Sequence, residues 1–296
     1  MLLTSYSFSS MCLIATLALV SALILTLLDR KLKLLQVIPT PLQAWQQLCQ
    51  RFTTKLHRKE RSDKALRWRS RILLITLLSI AFSIGLGLSY LLNHLDNDYL
   101  DTLLLALCLI RHPISPNSQL TDKSAVIRQQ IEIEGVMLLQ RIIAPLVGWI
   151  ILGWTGVMVS LTLGTLRIHS ASLKQAFAQP IRRLSRWFFM PSALLGCGLI
   201  SLAACFTSKG RPLIGLRAGL SAINQPFKAT IYTLAESLNS SLAGPKGLYL
   251  ALLGNEWLGK GSARLQAPDL KRWRWLELIA QGLYVALLLI LSLLLL

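Results

Sequence analysis

The chain has 296 residues, of which 53% are hydrophobic and 15% are charged, and its mean hydropathy is +0.55. This composition is too apolar for an ordinary soluble protein of the same length. The formal net charge is +18, but the basic residues lie between apolar stretches and not on a separate hydrophilic module. We therefore expect anionic lipid head groups as partners and no binding of nucleic acid.

Five long stretches without a charged side chain follow one another along the chain. A helix needs about 20 apolar residues to cross the hydrocarbon core of a bilayer. We predict an all-α, polytopic membrane protein in which 1–296 form a single integral membrane domain. About five transmembrane helices alternate with amphipathic or loop segments. The predicted spans are 11–28, 72–92, 142–166, 188–207 and 278–296.

The loop charges predict how the chain is oriented in the membrane. Residues 29–71 hold twelve Lys and Arg against three Asp and Glu, and 167–186 hold five bases and no acid. Residues 93–141 hold four bases and six acids. Because Lys and Arg accumulate in cytoplasmic loops, the first two segments are predicted inside and the third outside, in a bacterial inner membrane.

The basic loop 29–71 contains a pattern that predicts a helix. Thr40 and Pro41 are typical of a helix start. Apolar side chains then recur at helical spacing, at Leu42, Trp45, Leu48, Phe52 and Leu56. Arg51 and Lys55 flank this stripe. Two interpretations stay open: the helix lies on an anionic lipid surface, or the stripe packs against other helices.

Several other features bear on the membrane fold. The Gly-rich loop 208–277 is predicted outside although it holds ten bases and four acids, so it is either too long for the charge rule or contains a membrane-inserted piece. The apolar run 103–110 is too short to span and is a candidate re-entrant segment.

Pro145 and Pro191 lie near the starts of predicted spans. Small residues four apart, at Gly85 and Ser89 and at Ser192 and Gly196, suit close helix contact.

Candidate chemistry is sparse. The five cysteines and four histidines show no metal-ligand spacing, so no metal site is predicted. Cys12, Cys197 and Cys205 lie in apolar runs and are expected to be buried. Asp96, Asp98 and Asp101 either hold a divalent cation or form a solvated loop.

The carboxylates and glycines further along give no catalytic pattern. Glu132 and Glu134 fall on different faces of a helix, so they do not form an acid/base pair. The segment 254–262 nearly matches a P-loop, but Gly261 takes the place of the required hydroxyl. We expect its glycines to make turns.

The C-terminal loop resembles the adenosylcobinamide-phosphate synthase (CobD/CbiB) membrane family of cobalamin biosynthesis. Ala243-Gly244-Pro245, Tyr249 and Trp257-Leu258-Gly259 are similar to its Gly-Gly-Pro, Tyr and Trp-hydrophobic-Gly motifs. The upstream residues that match are Arg128, Glu132, Ala144, Pro145 and Pro191. The resemblance implies a substrate or loop motif at Gly244, Pro245, Tyr249, Trp257 and Gly259. It implies an ATP- and Mg²⁺-dependent amide ligase that joins an aminopropanol arm to a corrinoid.

The chain departs from the family's acidic motifs, which leaves the question of an enzyme open. An Asn-Thr-Leu-Asp motif of the family falls at Gly164-Thr165-Leu166-Arg167, where a base replaces the acid. The catalytic candidates that remain are Glu132, Thr165 and Asn117, and Mg-ATP is required only if the activity survives. Leu166-Arg167 is also similar to the related AmpE branch, which is linked to β-lactamase regulation. The alternatives are a weak or inactive corrinoid-binding protein and an AmpE-like signalling protein that binds a protein partner.

Overall fold

The computed structural model describes residues 8–32, 41–58, 61–95, 98–110, 123–208, 210–244 and 250–294. Within these ranges the chain is almost entirely helical. The first helices are α1 (Phe8–Leu32), α2 (Pro41–Leu56), α3 (Asp63–Leu95), α4 (Asp98–Leu109), α5 (Lys123–Met137), α6 (Ala144–Ala171) and α7 (Gln175–Ala204). A π-helical turn, Leu138–Ile143, lies between α5 and α6. The rest are α8 (Pro212–Ser221), α9 (Pro226–Ser237), β1 (Leu242–Ala243), α10 (Leu250–Leu253), β2 (Trp257–Leu258) and α11 (Ala267–Leu294).

Five helical stretches in the described residues are long and apolar enough to cross a membrane: 8–25, α3, 123–171, α7 and α11. The prediction of an all-α, multi-pass membrane protein is confirmed. The helices extend beyond the predicted spans, because the basic segments before them continue the same helix. Thus α3 begins at Asp63 and α7 at Gln175, and Arg, Lys and Leu are all good helix formers.

The chain divides into two compact units. The first comprises Met1–His112, Gln140–Phe188 and Leu287–Leu296, and the second comprises Pro113–Leu139 and Phe189–Ala286. Each unit has its own interior, and the two are described in turn.

In the first unit, α6 bends sharply at Gly153, which has φ 61° and ψ −141°. The bend brings Gly148 close to Gly156: a Cβ added to Gly148 would lie 2.6 Å from the Gly156 carbonyl oxygen. Such a backbone conformation is open to glycine and strained for other residues. The stretch predicted as one straight span, 142–166, is therefore two helical segments joined at Gly153.

Three helices of this unit, α1, α2 and α4, attach to α6 by hydrogen bonds from buried or half-buried indoles. Trp149 Nε1 donates to the Met11 carbonyl oxygen of α1 at 3.1 Å. Trp154 Nε1 donates to Asp101 Oδ1 of α4 at 2.7 Å. These bonds let α6 organise the unit, because an indole N–H without an acceptor is costly in an apolar interior.

Asp101 has a role different from both interpretations of the acidic segment. It is fully buried, and the bond from Trp154 reaches it across 53 positions of sequence. Asp98 is exposed at the start of α4, and Asp96 lies outside the described residues. Asp101 is therefore an interior acceptor in α4, the helix that contains all but the last residue of the candidate re-entrant run 103–110. Re-entry itself stays a prediction.

The helix predicted in the first basic loop is confirmed as α2, beginning at Pro41. It packs against α6: Trp45 Nε1 donates to Thr162 Oγ1 at 3.0 Å, and Cys49 is fully buried. Leu48 and Phe52, by contrast, remain exposed. The stripe is thus divided between packing and an apolar surface, and contact of that surface with lipid stays a prediction.

In the second unit, α8 and α9 form a close antiparallel pair within the segment predicted as the Gly-rich loop. Gly219 of α8 lies directly against the Thr233 hydroxyl of α9. The outer face of α8 exposes Leu213, Ile214 and Leu220. This face fits the alternative of a membrane-inserted piece, which stays a prediction.

Two smaller expectations are corrected. Pro191 lies in the middle of α7 and not near its start, because the helix begins sixteen positions earlier at Gln175. Its missing N–H therefore removes an interior helical hydrogen bond. Cys205 is exposed, because α7 ends at Ala204 and the thiol falls in the turn beyond it, whereas Cys12 and Cys197 are buried as expected.

Gly85 and Gly87 offer a matched test of helix contact in the first unit. A Cβ on Gly85 would lie 2.5 Å from the Thr155 Cα of α6, whereas nothing lies within 4 Å of one on Gly87. We expect Gly85→Ala to destabilise the protein by about 1–3 kcal/mol through overpacking. Gly87→Ala should stabilise it by roughly 0.5–1 kcal/mol through helix propensity. Denaturation by sodium dodecyl sulfate in mixed micelles measures both; equal effects would refute close α3–α6 contact.

Candidate functional site

The candidate site is built on one face of α5, in the second unit. Arg128 and Glu132 are one helical turn apart and both are buried, with 8% and 0% of their surface exposed. Burial of a charge is unfavourable unless the group is paired or hydrogen-bonded. Both side chains are directed to the short hairpin formed by β1 and β2, so the contacts there decide what they do.

Glu132 binds the first hairpin strand. Its Oε1 accepts a hydrogen bond of 2.8 Å from the Ala243 backbone N–H. Arg128 binds the second strand: its guanidinium carbon lies 4.8 Å from the centroid of the Trp257 ring, in cation–π geometry. Ala243 and Trp257 are paired across the sheet. One turn of α5 therefore holds both strands of the hairpin at the same point.

The start of α5 binds the segment that follows the hairpin. Ser124 Oγ accepts from the Leu265 N–H at 2.9 Å and lies 3.3 Å from the Ala263 carbonyl oxygen, to which it donates. Three successive turns of α5 thus engage the loop at separate places. We call Ser124, Arg128 and Glu132 with their hairpin partners the α5–hairpin clamp.

Glu134 makes a second set of contacts on another face of the helix. Its Oε2 accepts a 2.7 Å hydrogen bond from Trp273 Nε1 of α11, and its Oε1 accepts one of 2.7 Å from Gln130 Nε2. Arg274 approaches Oε1 at 3.7 Å. Glu132 and Glu134 lie on different faces of the helix, as predicted, and each carboxylate has different partners.

The glycines of the hairpin have the structural roles expected of turns. Gly244 has φ +87°, and a Cβ there would lie 2.9 Å from the Trp257 ring. Gly259 has φ +96°, and its position leaves no room for a side chain next to the Ser240 carbonyl. Ala243 also has a positive φ, 60°, at a place where the resemblance implies glycine. Its left-handed backbone is strained for a residue with a Cβ.

The segment that nearly matches a P-loop does not have the structure of one. Its backbone is engaged in the sheet: Ser241 N–H donates to the Ser262 carbonyl oxygen at 3.0 Å, and Ser241 Oγ donates to that of Gly259 at 2.9 Å. No helix follows directly, since α11 begins at Ala267. A phosphate cradle lies at a helix start, and none follows this segment directly, so the segment is part of a structural hairpin.

The remaining predicted site residues lie elsewhere. Thr165 belongs to the first unit, where its buried hydroxyl donates to the Leu161 carbonyl of its own helix at 2.8 Å. Ala144 is fully buried, and Pro145 occupies the first turn of α6. Asn117, Pro245 and Tyr249 lie outside the described residues. The structure therefore unites Arg128, Glu132, Gly244, Trp257 and Gly259, and it gives Thr165 a local role.

Mg-ATP, which the resemblance implies, would need carboxylate ligands near the candidate site. Nowhere within the described ranges do three His, Cys, Asp or Glu side chains come together as a metal site. Magnesium is held through carboxylate and phosphate oxygens, and Glu132, the one acidic catalytic candidate, is engaged by the β1 backbone.

Sequence reasoning did not identify the partners of the buried carboxylates. Ala243 is 111 positions from Glu132, and Trp273 is 139 positions from Glu134. The available signal was chemical: two acids in a helix with few charges, and indoles that need acceptors.

Comparison of the chain with protein-family models, with curated proteins and with solved structures found no match.

The clamp predicts a specific order of stability among carboxylate variants. Glu132→Ala leaves the buried Ala243 N–H without its acceptor, which should lower the free energy of unfolding by about 1–3 kcal/mol. Glu132→Gln keeps an oxygen acceptor and should cost less. Glu256→Gln is the control, because Glu256 is 79% exposed in its ion pair with Lys228. Thermal unfolding in detergent measures all three; a Glu132→Ala variant as stable as the control would contradict the clamp.

Proposed function

We propose that this chain is a divergent CobD/CbiB-like protein of the bacterial inner membrane that binds a corrinoid without forming the amide bond. The single observation that carries the proposal is the burial of Glu132 and its hydrogen bond to Ala243. A general acid or base must reach a proton of its substrate. A carboxylate that is fully buried and supports a backbone N–H serves the architecture of the loop instead.

The hairpin supports retention of a ligand site. Trp257 is 46% exposed although Arg128 covers part of its ring. The resemblance assigns Gly244, Trp257 and Gly259 to the substrate loop, and they lie together on this hairpin. An exposed, rigid aromatic ring beside a buried guanidinium provides a surface for a flat, partly apolar ligand. The motif thus keeps a binding surface while its acid is used for structure.

A second function, AmpE-like regulation through a protein partner, is favoured by a different observation. Arg167 stands at the position of a family acid, and it repels the nearby Arg182 electrostatically. Two guanidinium groups close together repel a divalent cation, so this position no longer offers a metal ligand. In the described part of the chain, buried atoms of both side chains, Arg167 Nη1 and Arg182 Nε, lack a hydrogen-bond partner. A regulatory membrane protein has no need of the lost acid.

Titration calorimetry and product analysis test the proposal together. Purified protein in detergent is mixed with adenosylcobyric acid, an aminopropanol phosphate and Mg-ATP, with an active family synthase as the control. We expect heat of binding from the corrinoid and no amide product. Trp257→Ala should weaken corrinoid binding by about ten-fold or more, since a stacked aromatic contributes roughly 1–3 kcal/mol.

Amide product that disappears in Glu132→Gln, while the thermal midpoint is kept, would overturn the proposal and make Glu132 a catalytic residue. Absence of any corrinoid binding would also overturn it and would leave the regulatory function. That function is then measured as β-lactamase induction in cells with and without the protein.

A further inference from the structure

A groove in the first unit lies between the N-terminal parts of α3 and α7. Its volume is about 570 Å³. Three arginines line it: Arg67 and Arg71 of α3 and Arg183 of α7. Arg67 and Arg71 are one helical turn apart and so project from the same face. The groove is independent of the clamp and of the corrinoid proposal.

The groove has a surplus of positive charge. Among the described residues, none that lines it is acidic. In the described part of the chain, no carboxylate lies within ion-pair distance of Arg67, Arg71 or Arg183. Three guanidinium groups that share a concave surface raise the local positive potential and favour a bound anion. Arginine offers paired N–H donors that match phosphate oxygens.

The groove also has an apolar end. On α3 the lining continues from Arg71 to Leu74, and on α7 it continues from Arg183 to Leu184 and Trp187. On both helices the basic residues precede the uncharged stretch, which begins at Ile72 on α3 and at Trp187 on α7. A ligand that fills the groove therefore needs an anionic head next to an apolar body.

Both helices carry an exposed tryptophan near the groove. Trp187 is 67% exposed and Trp68 is 63% exposed. Trp68 lies beside Arg71, whose guanidinium carbon is 5.8 Å from the ring centroid. Tryptophan is enriched at the membrane–water interface. Tryptophan beside a change from arginine to leucine is the pattern expected where a lipid changes from head group to acyl chain.

We propose that the groove formed by Arg67, Arg71, Leu74, Arg183, Leu184 and Trp187 is a specific site for one anionic phospholipid. Its phosphate lies against the three arginines, and its acyl chains follow Leu74, Leu184 and Trp187. Complementarity of charge selects the anionic head group, and the apolar end selects a lipid over a free phosphate ion. Both helix starts belong to loops predicted as cytoplasmic, the side on which anionic lipids create a negative surface potential.

Lipid retention in detergent tests this site. The full-length protein is titrated with phosphatidylglycerol or phosphatidylcholine, and bound lipid is counted by native mass spectrometry. We expect one phosphatidylglycerol to be retained in preference to phosphatidylcholine. The triple variant Arg67→Gln/Arg71→Gln/Arg183→Gln should bind phosphatidylglycerol about 100-fold more weakly, from roughly 1 kcal/mol per basic residue.

The control removes the same charge from outside the groove. Arg58, Arg61 and Lys64 are exposed and belong to the same basic loop. The variant Arg58→Gln/Arg61→Gln/Lys64→Gln should retain the lipid as the wild type does. If the groove triple variant fails to fold, Arg183→Gln alone should weaken binding by about five-fold.

Three results would overturn the proposal. Equal losses in the two triple variants would mean diffuse attraction to anionic membranes and no site. Equal retention of phosphatidylcholine would remove the role of the arginines. Displacement of the lipid by excess inorganic phosphate alone would identify a phosphate site in place of a lipid site.

Discussion

In a bilayer, apolar helices gain little by burying apolar surface against one another, so close backbone contact and satisfied polar groups must hold them together. In the first unit, the close backbone contacts and the hydrogen bonds of the polar groups both depend on α6. Its bend at Gly153 brings Gly148 and Gly156 together, and α3 approaches through Gly85. Hydrogen bonds from Trp149 to α1 and from Trp154 to α4 fix the other contacts. The unit is specified by glycines and indoles more than by the apolar residues that surround them.

The second unit meets the same constraint with charged groups. Glu132 and Glu134 are buried, and both accept hydrogen bonds from donors on distant parts of the chain. Glu132 accepts from a backbone N–H, and Glu134 accepts from an indole. The two carboxylates therefore hold α5 against the hairpin and against α11.

The sequence predicted the number and type of the membrane helices, because long uncharged runs report burial in lipid directly. It also predicted that α2 begins at Pro41. The sequence did not predict the bend at Gly153, because glycine permits a positive φ without requiring one. Strands of two residues, β1 and β2, are too short for a period-two pattern to register. Burial of Asp101 depends on Trp154, a contact that local patterns do not contain.

The central claim is that the Glu132 carboxylate holds the β1 backbone. Hydrogen exchange at the single amide of Ala243, followed in wild type and in Glu132→Ala, tests it most directly, with Leu242 as an internal reference. The account predicts a slowly exchanging Ala243 amide in the wild type and much faster exchange in the variant, with Leu242 little changed. Equally fast exchange of Ala243 in both proteins would show that the carboxylate does not hold this strand, and Glu132 would again be a candidate for catalysis.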